Sequence, residues 1–382
     1  MATKSLWKAI AILVGAIVGA GVLGIPYAVA QSGYVLGLII LLIVGTAILF
    51  EFLMVADLTL STPGKHQLVG LAKHYLGKKG KLMMQASIFF TVWGAMLAYA
   101  IGSGNVFATF FSQTSFYGIP LNLTFSIILL LLFSIPIYAG LKATESVELP
   151  LVLFLIGLII IMCAFAFTHI NLGNLQTANF SKAFLPYGVI LFAIAGSMVI
   201  PEAKQALKGD AKLLRKAVIA GVLIPLTLYW FFTTVVVGVT GSQTSEVATI
   251  AFGQLTNPVV IVLGNIFALI AMATSFIALG LVLKDTFIQD LGMKNNQAYL
   301  LTMIVPLFML FVAKSFTRIL EITGAYSIGF AGILVGVMAL KARKYKTKGL
   351  KLKNTALPYI VITIFIFGIV VTTMQILGIS PF

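Results

Sequence analysis

Residues 9–30 read AIAILVGAIVGAGVLGIPYAVA, and residues 186–205 read PYGVILFAIAGSMVIPEAKQ. Both stretches are apolar enough for hydrocarbon, and both carry residues that interrupt a helix. The first has Gly15, Gly19, Gly21 and Gly24 ahead of Pro26; the second has Gly188, Gly196 and Ser197 ahead of Pro201. They share the pattern Ala-Ile-x-Gly, at 16–19 and 193–196, an offset of 177 residues. Backbone released from helical hydrogen bonding is costly in hydrocarbon, so it persists only where it faces protein, water or a solute. Paired Gly/Pro-interrupted segments at matching places in two halves of a chain point to a transporter's binding site. An opened helix offers amides with partial positive charge to a carboxylate. It offers carbonyls to an ammonium group or a sodium ion, and an amino acid zwitterion needs both. Gly15 and Gly19 also form GxxxG, which serves close packing of membrane helices; the doubling of the Ala-Ile-x-Gly pattern half a chain apart, each followed by Pro, favours interruption.

Composition sets the class around these two stretches. Of 382 residues, 60% are hydrophobic and 9% charged, whereas a soluble domain carries roughly a quarter charged. About 229 apolar residues suffice for roughly 11 spans of ~20 residues. Charge clusters and Gly/Pro/Asn turns divide the chain into segments 1 to 11, at 6–30, 34–60, 82–111, 121–141, 147–168, 183–207, 212–240, 257–284, 298–313, 318–340 and 355–378. The fold class is all-α, polytopic and membrane-embedded. Lys4 and Lys8 before an apolar run imitate a signal peptide, but the run exceeds an h-region of about 7–15 residues and contains Pro26. It reads as an uncleaved span.

The net charge of +15 follows the loops. The amino terminus and alternate loops hold 22 of the 25 cations, among them Lys65, Lys73, Lys78, Lys79, Lys81, Lys142, Lys204, Lys208, Lys284, Lys294, Lys346, Lys348, Lys351 and Lys353. The other side keeps Lys182, Lys314 and Arg318. An excess of Lys and Arg marks the cytoplasmic side, so the amino terminus is expected inside and, with eleven spans, the carboxy terminus outside. No soluble face interleaves these cations with aromatics, which excludes nucleic acid. The lone Cys163 lies in an apolar run and excludes an internal disulfide.

Two pieces do not span. In 65–81, Leu68, Leu71, Ala72, Tyr75 and Leu76 recur at helical spacing, which predicts an amphipathic helix along the inner face. Segment 243–256 is expected outside, as a short helix over the external mouth or a plain connection. In segment 8, the hydroxyls of Thr274 and Ser275 and the carbonyl of Ala271 converge on one helix face, three neutral oxygens for a monovalent cation. Alternatively these hydroxyls bond back to their own helix. Glu51 lies deep in segment 2, where an ionisable group is a functional candidate; it either supports the amides freed in segment 6 or carries a proton. Asp57 is expected to pair with lysines of the 65–81 loop, and Glu202 and Glu321 to pair at the interface. In segment 3, Thr91, Ala95, Ala98/Tyr99 and Gly102 share a face, with Gly94, Ala98 and Gly102 suited to tight packing.

Gly19-Ala20-Gly21-Val22-Leu23 with Pro26, and Trp93 to Gly104 (WGAMLAYAIGSG), resemble the amino acid–polyamine–organocation superfamily, in particular its aromatic/hydroxy amino acid permeases and amino acid/auxin permeases. The resemblance covers most of the chain and is strongest in segments 1, 3, 6 and 8. It implies a LeuT-type fold: an inverted 5+5 repeat over 1–178 and 179–345, with an eleventh helix in 346–382. It implies that a substrate carboxylate meets amides at Gly19, Ala20 and Gly21. The amine would meet carbonyls at Ile17, Phe192 and Ala195, with Gly196 and Ser197 at the second break and Thr91 and Ala95 from segment 3. Sodium-coupled members of the fold use Ala-x-x-Thr-Ser in segment 8, which implies a Na+ site of Gly15, Val18, Ala271, Thr274 and Ser275. A proton-coupled relative would place a lysine in segment 5, and 147–168 has none. Segment 6 lacks the histidine of many auxin-permease relatives, so the subfamily stays open.

The expected function is import of a neutral amino acid by sodium symport, with proton coupling or a channel as alternatives, no cofactor and the bilayer as surroundings. Enzymes fit poorly. Gly102-Ser103-Gly104 imitates a nucleophile turn, yet a base is needed nearby and His66, His74 and His169 all fall in loops. Asp285 and Asp290 have no second acidic cluster to make a metal-dependent transferase.

Overall fold

The computed structural model describes residues 2–64, 66–111, 113–140, 145–344 and 356–379. Lys65, Lys142, Lys346, Lys348, Lys351 and Lys353 lie outside the described residues, so the loop-charge pattern is followed below only through the other cations. All eleven segments contain helix. Segment 2 is Tyr34–Ser61, segment 4 Leu121–Ala139, segment 5 Glu145–Ala166, segment 7 Ala211–Thr240, segment 8 Pro258–Leu291 and segment 11 Ala356–Ile376. Segment 10 runs through three pieces, Phe316–Ile322, a π-helical Thr323–Ile328 and Gly329–Lys344.

Among the described residues, nine helices are long and apolar enough to cross a membrane, and a bent pair in segment 1 makes ten. The expected eleventh is segment 9, whose helix Asn295–Met309 has only 15 residues. At about 1.5 Å per residue this is ~22 Å, short of a ~30 Å hydrocarbon core. Its first turn, Asn295-Asn296-Gln297, is polar, and helix stops at Met309 before Phe311 and Val312, which are exposed. By this measure the described residues form an all-helical membrane protein of nine to ten spans.

The amphipathic helix is present. Leu68, Leu71, Ala72 and Tyr75 are buried while Lys73 and His74 are exposed. Its hydroxyl partner is on segment 2, Thr62 Oγ1 lying 2.9 Å from Tyr75 Oη. Gly77 (φ 73°, ψ −161°) ends it, and segment 3 runs on to Ala108. A left-handed residue is needed there because the chain turns from lying along the surface to entering the bundle, and glycine takes that φ without a Cβ clash. The stretch after segment 7 also folds: Ala248–Gln254 is a helix with Ala248, Thr249, Ala251, Phe252 and Gly253 buried, packed on segments 7, 8 and 1.

Two side chains differ from the sequence expectation. Asp57 pairs with Arg215 of segment 7 at 2.5 Å, a partner the sequence expectation did not include. Lys284, counted among the loop cations, is 3% exposed and donates to the carbonyls of Ile137 (2.6 Å) and Tyr138 (3.2 Å). It adds a charged donor to carbonyls at the end of segment 4, where Ile137 O also accepts from the Gly140 amide, and locks that end to segment 8. Leu131, Leu132 and Ile135 on segment 4 stay exposed, the face a helix presents to lipid.

Candidate functional site

Segment 1 divides into Ala2–Ile17 (1a) and Ala20–Ser32 (1b), bent by 45°. Gly19 between them is extended (φ −150°, ψ −158°). Segment 6 divides into Leu185–Ala193 (6a) and Ile200–Ala206 (6b), with a single turn Ser197–Val199 after the break at 194–196. Both interruptions fall where the sequence places them.

The breaks meet. A Cβ built on Gly21 would lie 2.7 Å from the Cα of Ala193, and one on Gly196 would lie 2.9 Å from Ile17 Cγ1. Glycine is required at these points because the neighbour is backbone or the stem of a buried side chain. Segment 8 reaches the same place, with Ser275 Oγ 3.0 Å from a Cβ on Gly19. The amides of Ala20 and Gly21 open the 3-10 turn Ala20–Gly24, positions whose N–H groups have no partner inside the helix. These are the groups a carboxylate would take.

One residue absent from the sequence expectation is central. Tyr229 of segment 7, fully buried, donates from its hydroxyl to the carbonyl of Ile17 at 2.7 Å, and lies 3.4 Å from that of Ala193. The Ile17 carbonyl, expected to bind substrate, is thus engaged by a phenol. Of the other break residues, Gly196 O accepts from Val199 N at 3.3 Å and Ser197 O accepts from Ile200 N. Phe192 O accepts weakly from Ala195 N at 3.3 Å.

Burial is asymmetric about the breaks. Residues 20–26 and 186–194 are buried throughout, whereas Ala16 is exposed and Gly15, Gly19, residues 195–199 and residues 273–275 keep partial exposure. The break residues are open on the side of 1a and 6b and closed on the side of 1b and 6a. On the closed side Tyr99 of segment 3 meets Phe192 edge to face, with ring centroids 6.1 Å apart. Segment 3 delivers its expected face unevenly. Ala95 and Tyr99 are buried, but Thr91 bonds back to Ser87 O at 2.9 Å. A Cβ on Gly94 would strike Thr323, and one on Gly102 would meet Met272 and Phe316; these glycines serve packing.

In segment 8 the Thr274 hydroxyl donates to the carbonyls of Ile270 (2.8 Å) and Ala271 (3.3 Å). Back-bonding therefore occurs. It spends the proton and leaves the oxygen lone pairs of Thr274 available to accept, as a cation ligand requires. Val18 is buried and Gly15 half-buried in 1a, with Gly15 beside Val152 of segment 5.

Glu51 is buried near Ser197 of the second break. The two line an enclosed cavity of about 40 Å³ with Ala195, Leu191, Ile328 and Phe365. Buried carboxylates require polar partners, and the cavity has room for a small number of waters. It lies between segments 2, 6, 10 and 11, behind the break rather than in front of it. Glu321 pairs with Arg318 at 2.7 Å, both in segment 10.

Residues 2–375 match the model of the tryptophan/tyrosine permease family. Glutamine transporter 2 of Aliivibrio fischeri is 26% identical over 352 residues, covering 88% of this chain and 89% of that protein. Tyrosine-specific transport system 1 of Haemophilus influenzae is 24% identical over 394 residues, covering 95% and 94%. Among solved structures, MhsT in complex with L-phenylalanine superposes with a TM-score of 0.61 at 14% identity, over 97% of this chain and 98% of that one. That likeness gives the LeuT-type fold.

Proposed function

We propose a working role for this chain, which belongs to the tryptophan/tyrosine permease family: it imports a large neutral or aromatic amino acid by sodium symport. The coarser part stands by family membership. The chain is a multi-pass amino acid permease, a secondary transporter and not an enzyme. The finer reading rests on one observation, the contact of two interrupted helices at Gly21–Ala193 and Gly196–Ile17, which gathers backbone amides and carbonyls of both breaks about one point. The relatives named for tyrosine and glutamine and the Tyr99–Phe192 pair at the closed side support an uncharged, bulky side chain.

In this reading the carboxylate binds the amides of Ala20 and Gly21, and the amine binds carbonyls of segment 6 at Phe192 and Ala195. Sodium takes the oxygens of Gly15, Val18, Ala271, Thr274 and Ser275. The repeats comprise 1–178 and 179–345, 346–382 adds the last helix, and segment 9 counts as a short eleventh span. With the cation-rich end cytoplasmic in the cell membrane, the open side of the breaks faces inward. Each positive charge carried in gains about 2.3 kcal/mol per 100 mV.

The test is uptake of labelled tyrosine, tryptophan and glutamine into proteoliposomes, with sodium replaced by choline or potassium at fixed pH. Uptake is expected to collapse without sodium and to show counterflow, which a channel lacks; unchanged uptake removes the ion assignment. Ser275→Ala is expected to weaken sodium dependence about tenfold, the scale of losing one hydrogen-bonding ligand to a charge.

A second reading, proton coupling, is favoured by the Glu51 cavity. Glu51→Gln separates the two. Under sodium coupling the amide fills the same place beside Ser197 and uptake stays within a few fold of the parent, while Glu51→Ala loses it. Under proton coupling Gln abolishes concentrative uptake as fully as Ala.

A further inference from the structure

The cation-poor side carries two connections, and their contacts attach them to different parts of the protein. Residues 170–182, between segments 5 and 6, bond to the ends of segments 1, 2 and 7. The Asn171 amide donates to Gly238 O at 2.9 Å, the Asn179 amide to Ser32 O at 2.8 Å and the Val35 amide to Thr177 O at 3.3 Å. The helix Ala248–Gln254, between segments 7 and 8, instead packs chiefly on segment 8, where a Cβ on Gly253 would lie 2.7 Å from Ile261 Cα. It also touches 1b, which closes one side of the breaks.

One side chain ties this helix to segment 10. Glu246 Oε1 accepts from Ser315 Oγ at 2.7 Å, and Oε2 accepts from the Thr317 amide at 3.3 Å. Ser315 Oγ in turn accepts from the Arg318 amide at 3.1 Å and caps Phe316–Ile322. An ionised acceptor makes these bonds stronger than a neutral one would. That part of segment 10 is a wall of the closed side. A Cβ on Gly24 of 1b would lie 2.7 Å from Leu320 Cδ1, 3.3 Å from Val189 Cγ1 of 6a and 3.5 Å from Phe316 Cε1. We propose that Glu246 is a positioning residue that holds the helix 248–254 against segment 10 and so favours the form closed on the external side. The external face then divides into two bodies, 170–182 with segments 1b, 2 and 7, and 248–254 with segments 8 and 10. Opening separates them. This role rests on the carrier reading and its orientation, because it needs a protein that opens alternately on its two sides.

The test reads thiol labelling of the full chain carrying Cys163→Ala, which removes the native thiol. Val189→Cys reports the closed side, where Val189 is fully buried, and Ala16→Cys reports the open side, where Ala16 is exposed. A membrane-impermeant maleimide is applied to whole cells for the first and to inside-out vesicles for the second. Glu246→Ala is expected to speed labelling at Val189→Cys about tenfold, the scale of one charge-assisted hydrogen bond. Labelling at Ala16→Cys should not rise, because occupancy moves away from the form open there. Gln254→Ala, exposed at the other end of the same helix, should label as the parent does. Unchanged labelling at Val189→Cys overturns the proposal, and so does faster labelling at both reporters, which marks general loosening. A mixture of tyrosine, tryptophan and glutamine with sodium tests the carrier reading separately, since it should alter labelling of both reporters in the parent. If it alters neither, the carrier reading falls and this proposal with it. If it alters both while Glu246→Ala leaves Val189→Cys unchanged, only the role of Glu246 falls.

Discussion

Gly21→Ala is expected to reduce uptake to near background while the protein still reaches the membrane. The added methyl would stand 2.7 Å from the Cα of Ala193 and 3.1 Å from its Cβ. The obstacle is main chain at the end of 6a, which has no rotamer to change, so the two breaks must separate. Overpacking a close contact costs about 1–3 kcal/mol, or roughly one to two orders of magnitude in an equilibrium. Here that cost falls on the arrangement that brings amides and carbonyls to one point. Gly157→Ala in segment 5 is the control, because a Cβ there meets nothing within 4 Å. It makes the same chemical change in an apolar helix and should transport as the parent does. If the two variants transport equally well at equal membrane abundance, the contact between the breaks is irrelevant to function.

Both interruptions were legible in the chain because the signal is local: several glycines close to a proline weaken a helix, and the pattern recurs at matching places in the two halves. The amphipathic helix was legible for the same reason, and Gly77 marks its end. What was not legible depends on pairing across distance. Tyr229 and Ile17 are 212 positions apart, and a tyrosine in an apolar run carries no mark of the carbonyl it will reach. Arg215 and Asp57, 158 apart, misled through proximity in sequence, since the lysines of the 65–81 loop are nearer in the chain. Lys284 reads as a loop cation by counting, yet its stem runs along buried surface to carbonyls of segment 4, as long charged side chains can. Hydropathy marks segment 9 as apolar without registering that its helix is too short to cross unaided. The π-helical turn Thr323–Ile328 in segment 10 has no sequence signature; it lies where Gly188 and Gly324 bring 6a against segment 10.

Tyr229→Phe removes one oxygen and is expected to weaken substrate binding by about tenfold or more. The hydroxyl has a single proton, and the shorter contact, 2.7 Å to Ile17 O against 3.4 Å to Ala193 O, places it on segment 1. Ile17 ends 1a, so its carbonyl has lost its helical acceptor role; without the phenol it is buried and unpaired, at about 1–3 kcal/mol. That carbonyl then has two ways to recover a partner. In the proposed pose it can draw the substrate amine toward itself and away from the segment 6 carbonyls, or 1a can rotate until water reaches it. Either way the amides of Ala20 and Gly21 no longer stand in register with the far side of the site. Binding should therefore suffer more than folding. Tyr187→Phe supplies the comparison, since that buried phenol donates to Phe365 O at 3.5 Å, between 6a and segment 11. It should lower the Tm slightly and leave the affinity unchanged, whereas Tyr229→Phe should shift affinity by far more than its change in Tm accounts for. Matching losses of Tm and affinity in both variants would reduce Tyr229 to an ordinary packing residue and return the Ile17 carbonyl to the substrate.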